Sequence, residues 1–363
     1  MSSVGPPQDG RGFGLVAYDQ PGMAGARVAD RLACALRILS PLLSMSVLHL
    51  VEIAGGSVRF DDGAELDTSQ VDDQRGRGAG GIGGRVAVGG GGLGIIGLLL
   101  YLLLSQLGSG SGSPLPNGLP ELGAGQSVND TQISESCRSG RDANTALDCE
   151  VVAVVNSLDA YWTDAFARSG ETYRKPRINF FNGGVNSGCG SASSDVGPFY
   201  CPADRESYID LRFFGELEQR FGAKGGPFAR AYVIAHEYGH HVQNLLGTSH
   251  RVQAGDSGPS SGSVRLELQA DCYAGVWAKN ASTTPGSSGR PLITNVTDAD
   301  VGAALDTAAR IGDDFIQSEL GGGRVNESQF THGTSEQRQK WYLTGYQTGD
   351  PTSCNTFDTP DLG

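Results

Sequence analysis

Apolar residues recur at helical spacing in several stretches of the C-terminal two thirds of the chain. ALDCEVVAVVNSLDAYWTDAFARSG ends at Gly170, and PFARAYVIAHEYGHHVQNLLG opens at Pro227 and closes at Gly247. Proline suits the first turn of a helix and glycine the position just past its end. Ser263 can cap the next helix, VRLELQADCYAGVWAKN, and Thr297 starts another, DADVGAALDTAARIGDDFIQSEL.

The last predicted helix, TSEQRQKWYLTGYQ, begins with a capping box formed by Thr334 and Gln337. Two shorter runs, RINFFNG and ESYIDLRFF, alternate or are continuously apolar, as strands do. These elements predict a mainly α domain of the α+β class, with a small β-sheet beside the helices, over residues 131–363.

Residues 86–107, VAVGGGGLGIIGLLLYLLLSQL, carry no charge and are long enough to cross a bilayer as one helix. A buried core helix or a secretory h-region can be equally short. Arg75, Arg77 and Arg85 precede the run, whereas no Lys or Arg follows it before residue 138. The positive-inside rule then predicts a cytoplasmic N-terminus and an exported C-terminal domain. We interpret the run as an uncleaved single-pass transmembrane anchor, because the preceding sequence is too long for an ordinary signal peptide.

The regions around this anchor differ in composition. Residues 108–130 form a Gly/Ser/Pro linker that holds the next domain off the membrane. Residues 58–85 are polar and glycine-rich, which predicts a disordered cytoplasmic tail. We assign no function to residues 1–57. The following sequence, VRFDDGAELDTSQVDD, resembles a natural protein start, which suggests that the gene start was set too early and that residues 1–57 are not translated. Peptides from residues 1–57 in an N-terminal mass analysis would overturn that hypothesis.

The charge balance excludes one class of partner. The chain of 363 residues has a formal net charge of −13 and a pI of about 4.9. No basic stripe is therefore present to neutralise phosphates, and we expect no nucleic-acid binding.

The seven cysteines are unevenly distributed, because six of them follow residue 136. An even set in one half of a chain predicts disulfides in an oxidising compartment, and the absence of any C-x-x-C pair disfavours the alternative of a metal cluster. Many pairings are possible; we expect two short loops, one long pairing and a free Cys34, with the pairs Cys137–Cys149, Cys189–Cys201 and Cys272–Cys354.

The stretch AHEYGHHVQ contains the strongest chemical signal. His236 and His240 are one helical turn apart, so their rings project from one face and can share an ion. Glu237 is rotated by about 100° from that line, so it can lie beside a metal without binding it. This is the position of a base that deprotonates an activated water. The alternative is an ordinary solvated helix face with several histidines.

A catalytic zinc needs a third protein ligand and one open position. Gln243 and Leu246 occupy the positions where a metzincin has glycine and histidine, so that class is excluded. Glu267, on the next predicted helix, is the best third ligand. Asp271 is one turn further and can accept the second N–H of a ligand histidine. The alternative is that both are surface acids.

Other polar residues are weaker candidates. His332, in FTHGTSEQR, precedes a helix start in a loop that we expect to be exposed beside a cleft, where it can donate to an oxyanion. A capping or core histidine is the alternative. Tyr208 is a second possible donor, and we expect His241 and His250 to be surface residues.

H-E-x-G-H on one helix followed by E-x-Q-A-D on the next resembles the gluzincin peptidases. AHEYGHHVQNLLG, RLELQADCYAGVWA, FTHGTSEQRQKW and the start RFDDGAELDTSQVDDQRG resemble, more closely, the bacterial putative neutral zinc metallopeptidase family, from about residue 58 to 360. The resemblance implies a zincin-like, membrane-anchored hydrolase with one zinc ion. By its motif the ligands are His236, His240 and Glu267, and the base is Glu237.

We therefore expect a zinc-dependent endopeptidase that cleaves extracytoplasmic proteins or peptides from a single-pass membrane anchor. A zinc-stabilised extracellular binding domain without turnover is one alternative, and a peptidoglycan peptide hydrolase is another. Substrate preference and oligomeric state do not follow from these residues.

Overall fold

The structure, a computed structural model, describes residues 58–75 and 130–363. The predicted anchor at 86–107, the N-terminal 57 residues and nearly all of the predicted linker lie outside these ranges. Within the two described ranges, no helix is both long and apolar enough to cross a membrane.

Helices make up most of the regular structure. In the described ranges they are α1 (Asp130–Ser136), α2 (Gly140–Ala143), α3 (Leu147–Arg168), α4 (Phe213–Gln219), α5 (Pro227–Leu245), α6 (Gly262–Asn280), α7 (Asp298–Arg310), α8 (Asp313–Phe315, continued by a π turn over Ile316–Leu320) and α9 (Ser335–Thr348).

The strands are short and form a small four-stranded sheet, a hairpin and a two-stranded ribbon. They are β1 (Arg59–Phe60), β2 (Val71–Asp73), β3 (Arg177–Phe180), β4 (Gly184–Ser187), β5 (Gly190–Ser193), β6 (Phe199–Cys201), β7 (Glu206–Ile209) and β8 (Ile293–Asn295). The four-stranded order is β2-β3-β7-β6, in which β2, β3 and β7 are parallel and the edge strand β6 is antiparallel to β7. The α+β class with a small sheet is thus confirmed.

The prediction that residues 58–85 form a disordered tail is wrong for residues 58–75. β1 pairs with β8, β2 pairs with β3, and Phe60 and Val71 are buried in the main core. Arg75 forms ion pairs with Asp73 and Asp148 of α3. This segment is therefore part of the same folded unit as residues 130–363, because its backbone and side chains complete the unit's sheets and core.

The predicted helix boundaries hold in part. Pro227 is at the first turn of α5, and Thr334 with Gln337 forms the capping box of α9. α6 begins earlier than predicted, because the side chain of Ser261 rather than Ser263 accepts the capping bond from Val264.

The helix predicted to run from Thr297 through SEL is broken between α7 and α8. α7 ends at Arg310, and Gly312 precedes α8. A Cβ on Gly312 would lie 2.5 Å from the backbone nitrogen of Ser335, so the start of α9 passes directly against this break.

The core is built around α6, which packs on α5 on one side and on α9 on the other. α6 and α9 approach each other through glycines. A Cβ on Gly275 would lie 2.0 Å from the carbonyl oxygen of Tyr342, and one on Gly345 would lie 2.0 Å from that of Cys272. The two backbones can be this close only because these positions lack side chains.

The three predicted disulfides are present. Cys137–Cys149 joins α1 to α3, and Cys189–Cys201 joins the β4–β5 turn to β6. Cys272–Cys354 joins α6 to the segment after α9.

The glycine contact between α6 and α9 yields a stability prediction. We expect Gly275→Ala to destabilise the protein by about 1–3 kcal/mol or more, because the new methyl group overlaps the Tyr342 carbonyl. Gly302→Ala is the matched control: no atom lies within 4 Å of its Cβ position in α7. It should stabilise by about 0.5–1 kcal/mol through helix propensity. Urea denaturation of the disulfide-intact protein measures both, and equal effects would refute the close contact.

Candidate metal centre

The two histidines of the H-E-x-G-H motif lie together on α5. His236 and His240 are one turn apart, and their ring centroids are 4.7 Å from each other. Both side chains are buried. The alternative of a solvated helix face with several histidines is therefore wrong.

The glycine of the motif has a structural role. A Cβ on Gly239 would lie 2.9 Å from both the Cα and the carbonyl oxygen of Ala270 in α6. Its absence allows α6 to cross α5 at the level of the two histidines. Glu267, three residues before Ala270, is thereby brought to them, and it is fully buried rather than a surface acid.

The three side chains converge on one point. Glu267 Oε2 is 3.2 Å from His236 Nε2, and Glu267 Oε1 is 3.3 Å from His240 Nε2. One donor atom from each residue lies within 4.8 Å of the others, and no fourth His, Cys, Asp or Glu joins this group in the described ranges. Donor atoms that bind one zinc tetrahedrally, each about 2.0–2.1 Å from the ion, are about 3.3 Å apart. The spacing of Glu267 to each histidine fits such an ion.

The hydrogen bonds of His236 fix its tautomer. Its Nδ1 is 2.7 Å from Asp271 Oδ1, so the Nδ1–H donates to this carboxylate. In a neutral imidazole the Nε2 lone pair then faces Glu267, where two acceptors oppose each other without a proton between them. Burial lowers the pKa of His236, but Asp271 and Glu267 outweigh that effect and raise it. A cation at this point removes the conflict.

Asp271 is itself held by two further residues. Its Oδ1 accepts from Tyr232 Oη at 2.6 Å, and both its oxygens accept from the Arg338 guanidinium at 2.9 Å. Asp271 and Arg338 are fully buried. Burial raises the pKa of Asp271, but Arg338 and His236 lower it by more than burial raises it. The carboxylate therefore stays charged.

His240 is oriented by an amide instead of a carboxylate. Its Nδ1 is 2.9 Å from Gln243 Oε1, while Gln243 Nε2 donates to the Leu266 carbonyl and to Gln269. Since the amide nitrogen of Gln243 is engaged as donor, its oxygen must accept the His240 Nδ1–H. The Nε2 lone pair of His240 therefore also faces Glu267, and it has no hydrogen-bond partner among the described residues. Two imidazole lone pairs and a carboxylate form a donor set suited to zinc.

Glu237 lies beside this group without belonging to it. It is 3% exposed, and neither carboxylate oxygen makes a hydrogen bond of normal geometry to a described residue. Burial raises the pKa of Glu237 to about 8, with His240 opposing the rise and Glu267 adding to it. A buried carboxylate without a partner is costly for the fold, which is a feature of functional sites.

His332 differs from its prediction in one respect. It is 1% exposed rather than in an exposed loop. Its Nδ1 is 3.2 Å from Asp313 Oδ1, and Asp313 Oδ2 also accepts the backbone N–H groups of Thr331, His332 and Gly333. Burial raises the pKa of Glu267, but the neighbouring imidazoles of His240, His332 and His236 together lower it well below its usual range. His332 is thus within electrostatic reach of Glu267.

The remaining candidates have other roles. The Tyr208 hydroxyl donates to Asp204 at 2.7 Å, and its ring stacks on Phe199 in a separate small core. His250 is exposed as predicted, but the prediction for His241 is wrong. His241 is buried between the Tyr200 hydroxyl and the Arg174 carbonyl, because it lies on the α5 face that packs against β6.

Sequence reasoning missed five residues that support the site: Tyr232, Gln243, Gln269, Asp313 and Arg338. Gln243 is one helical turn from His240, where a polar partner could have been expected. The contacts of the other four join positions distant in sequence, so spacing alone does not reveal them. One signal was available for Arg338. It is on the same α9 face as Trp341, Tyr342 and Gly345, and a cation on a buried face implies a buried anion.

Comparison with known proteins agrees with this geometry. Residues 63–357 match the family described as "putative neutral zinc metallopeptidase". The match covers well over half of the chain, and the chain belongs to this family.

Two relatives illustrate the range of the similarity. An uncharacterized protein of Mycobacterium tuberculosis H37Rv is 53% identical over 228 residues, which are 62% of this chain and 76% of that protein. The uncharacterized protein YpfJ of Escherichia coli K12 is 37% identical over 300 residues, which are 80% of this chain and 96% of that protein. No solved structure matches the chain.

Proposed function

We propose that the protein is a zinc-dependent endopeptidase that hydrolyses peptide bonds of extracytoplasmic proteins or peptides. The observation that carries this proposal is the convergence of three buried donors, His236, His240 and Glu267, beside the unpartnered carboxylate of Glu237. A structural zinc site closes its fourth position with a protein ligand. In the part of the chain that the structure describes, the group has three members, and the cysteines there are in disulfides.

The roles of the residues follow from their chemistry. His236 and His240 would hold the ion through Nε2, and Glu267 through its carboxylate, with Asp271 orienting His236. A zinc ion held there would act as a Lewis acid toward a peptide carbonyl and would lower the pKa of a bound water. A cation held beside Glu237 lowers its raised pKa and so favours the ionised form. In that form Glu237 accepts the proton of the attacking water and passes it to the leaving amine.

His332 donates a hydrogen bond to the oxyanion that develops on the substrate. Asp313 and Thr331 contact its Nδ1, so Nε2 is the ring nitrogen that would make this bond.

The cellular compartment of the folded domain is a separate proposal. Three disulfides favour an oxidising environment outside the cytoplasm. Residues 58–75 pair with strands of the catalytic domain, so they must be on the same side of a membrane as that domain. We place both ranges outside the cytoplasm, which corrects the cytoplasmic assignment of residues 58–75. Attachment to the membrane through residues 86–107 stays a prediction.

Metal content and turnover test the site directly. Purified wild type should contain one zinc and cleave members of a mixed peptide library. Glu237→Gln should keep the zinc and lose about 10²–10⁴-fold in kcat, because the base is gone while the ligands remain. Glu267→Ala should lose the zinc. Mass spectrometry of the metal and peptide cleavage assays measure these results.

Three outcomes would contradict the proposal. Undiminished hydrolysis by Glu237→Gln would refute the base. Zinc without cleavage of any peptide would favour a non-catalytic binding domain, unless purified peptidoglycan is cleaved, which would favour a peptidoglycan peptide hydrolase. A wild type that retains no zinc would refute the metal centre.

Substitution of His332 tests the oxyanion role. His332→Ala should lower kcat by about 10²–10³-fold with zinc content unchanged, because one donor to the transition state is lost. His250→Ala is the matched control, since His250 is exposed, and it should leave kcat unchanged. A kcat/KM within a few-fold of wild type in His332→Ala would remove this residue from the mechanism.

A crosslink tests the placement of residues 58–75. Arg59 and Asn295 are cross-strand partners on β1 and β8, and both are exposed. The full chain carrying Arg59→Cys and Asn295→Cys should form a disulfide in cells, since paired positions are about 4.5–5.5 Å apart between Cα atoms. Non-reducing electrophoresis and peptide mass analysis detect it, with each single substitution as control. A double variant that stays reduced at both sites would place the segment apart from the domain.

A further inference from the structure

The second histidine of the centre is supported by a chain of amides that leads away from the site. His240 Nδ1 donates to Gln243 Oε1 at 2.9 Å. Gln243 Nε2 donates to the Leu266 carbonyl at 2.6 Å and to Gln269 Oε1 at 3.1 Å. All of these side chains are buried, so water does not compete for the bonds.

The chain of amides ends on the C-terminal segment. Gln269 Nε2 donates to the Cys354 carbonyl at 2.9 Å. Cys354 is joined by its disulfide to Cys272, which is on the same helix as Gln269 and three residues further along it. The acceptor that completes the series is thus held in place by a covalent bond.

We call the series His240, Gln243, Gln269 and the Cys354 carbonyl the amide relay. We propose that Gln243 and Gln269 are positioning residues for metal binding, and that the Cys272–Cys354 disulfide keeps the Cys354 carbonyl within hydrogen-bonding distance of Gln269. The inference rests on the proposed function, because it concerns how His240 presents Nε2 to the ion.

The direction of each bond is determined by the chemistry of the groups. The Cys354 carbonyl can only accept, so the Gln269 amide must donate to it with its nitrogen and present its oxygen to Gln243. Gln243 must then present its own oxygen to His240, which compels the Nδ1–H tautomer. Loss of the hydrogen bond to the Cys354 carbonyl frees the amides of Gln269 and Gln243 to turn. His240 then loses both its tautomer preference and its ring orientation.

The relay has no charged member, in contrast to the support of His236. Asp271 holds His236 with an anion that Arg338 neutralises, whereas His240 depends on neutral amides alone. Substitution in the relay therefore changes geometry without introducing or removing a buried charge. This separates a positioning effect from an electrostatic one.

The test measures metal affinity rather than activity alone. We expect Gln243→Met and Gln269→Met to raise the dissociation constant for zinc by about 10–100-fold, as loss of such outer partners does. Competition with a chelator gives this constant, and the visible spectrum of the cobalt-substituted protein should shift because a ligand has moved. Gln339→Met is the matched control, since Gln339 is a half-buried amide bonded to the Leu305 carbonyl on the other side of α9.

The disulfide is tested in the same way. The pair Cys272→Ala and Cys354→Ala should raise the zinc dissociation constant, whereas Cys137→Ala with Cys149→Ala should leave it near the wild-type value. Urea denaturation of each metal-free variant verifies that all are folded under the conditions of the titration.

Two results would overturn the inference, and they are distinguishable from failure of the proposed function. Wild-type affinity and an unchanged cobalt spectrum in Gln243→Met and Gln269→Met would show that the relay does not position His240. An equal loss of affinity in Gln339→Met would assign the effect to general destabilisation. A wild type that binds no metal would instead refute the zinc centre itself.

Discussion

The buried carboxylate of Asp271 is the interaction on which the rest of the structure depends. It accepts hydrogen bonds from Tyr232 and His236 of α5 and from Arg338 of α9, while it belongs to α6. An isolated carboxylate in such a place would cost several kcal/mol, and Arg338 offsets that cost only if all three helices are in register. The same contacts that hold the bundle together therefore orient a candidate ligand of the ion.

The two histidines show different solutions to one requirement. To bind the proposed zinc ion, each must present Nε2 as a lone pair and therefore donate its Nδ1–H to a fixed acceptor. The acceptor for His236 is charged and is neutralised by a buried arginine, and the acceptor for His240 is an amide within a neutral series. Among the described residues, the support of the two histidines thus includes one buried ion pair, Asp271 of α6 with Arg338 of α9.

Sequence patterns predicted the features of this protein that depend on residues within one helix. The HExxH spacing puts His236 and His240 on one face because residues one turn apart share it, and the capping box of Thr334 with Gln337 is equally local. Glu267 was predicted from its place on the next helix. Long-range contacts were beyond such reasoning. Asp313, Arg338 and Gln269 act on residues that are 19 to 102 positions away. The strands of residues 58–75 are only two and three residues long, and two of the three residues of β2 are acids, so nothing local distinguishes them from a disordered tail.

The position of those strands constrains the chain between the two described ranges. β2 packs against α1, so the end of the first described range lies beside the start of the second. The 54 residues 76–129 therefore join two elements that lie on the same side of any membrane. A chain that starts and ends on one side of a membrane crosses it an even number of times or not at all. Two crossings need about 40 apolar residues, whereas the predicted anchor 86–107 has 22 residues. A single crossing by residues 86–107 would put residues 58–75 and the domain on opposite sides of the bilayer, where β2 could not pair with β3. Attachment to the membrane through residues 86–107 stays a prediction.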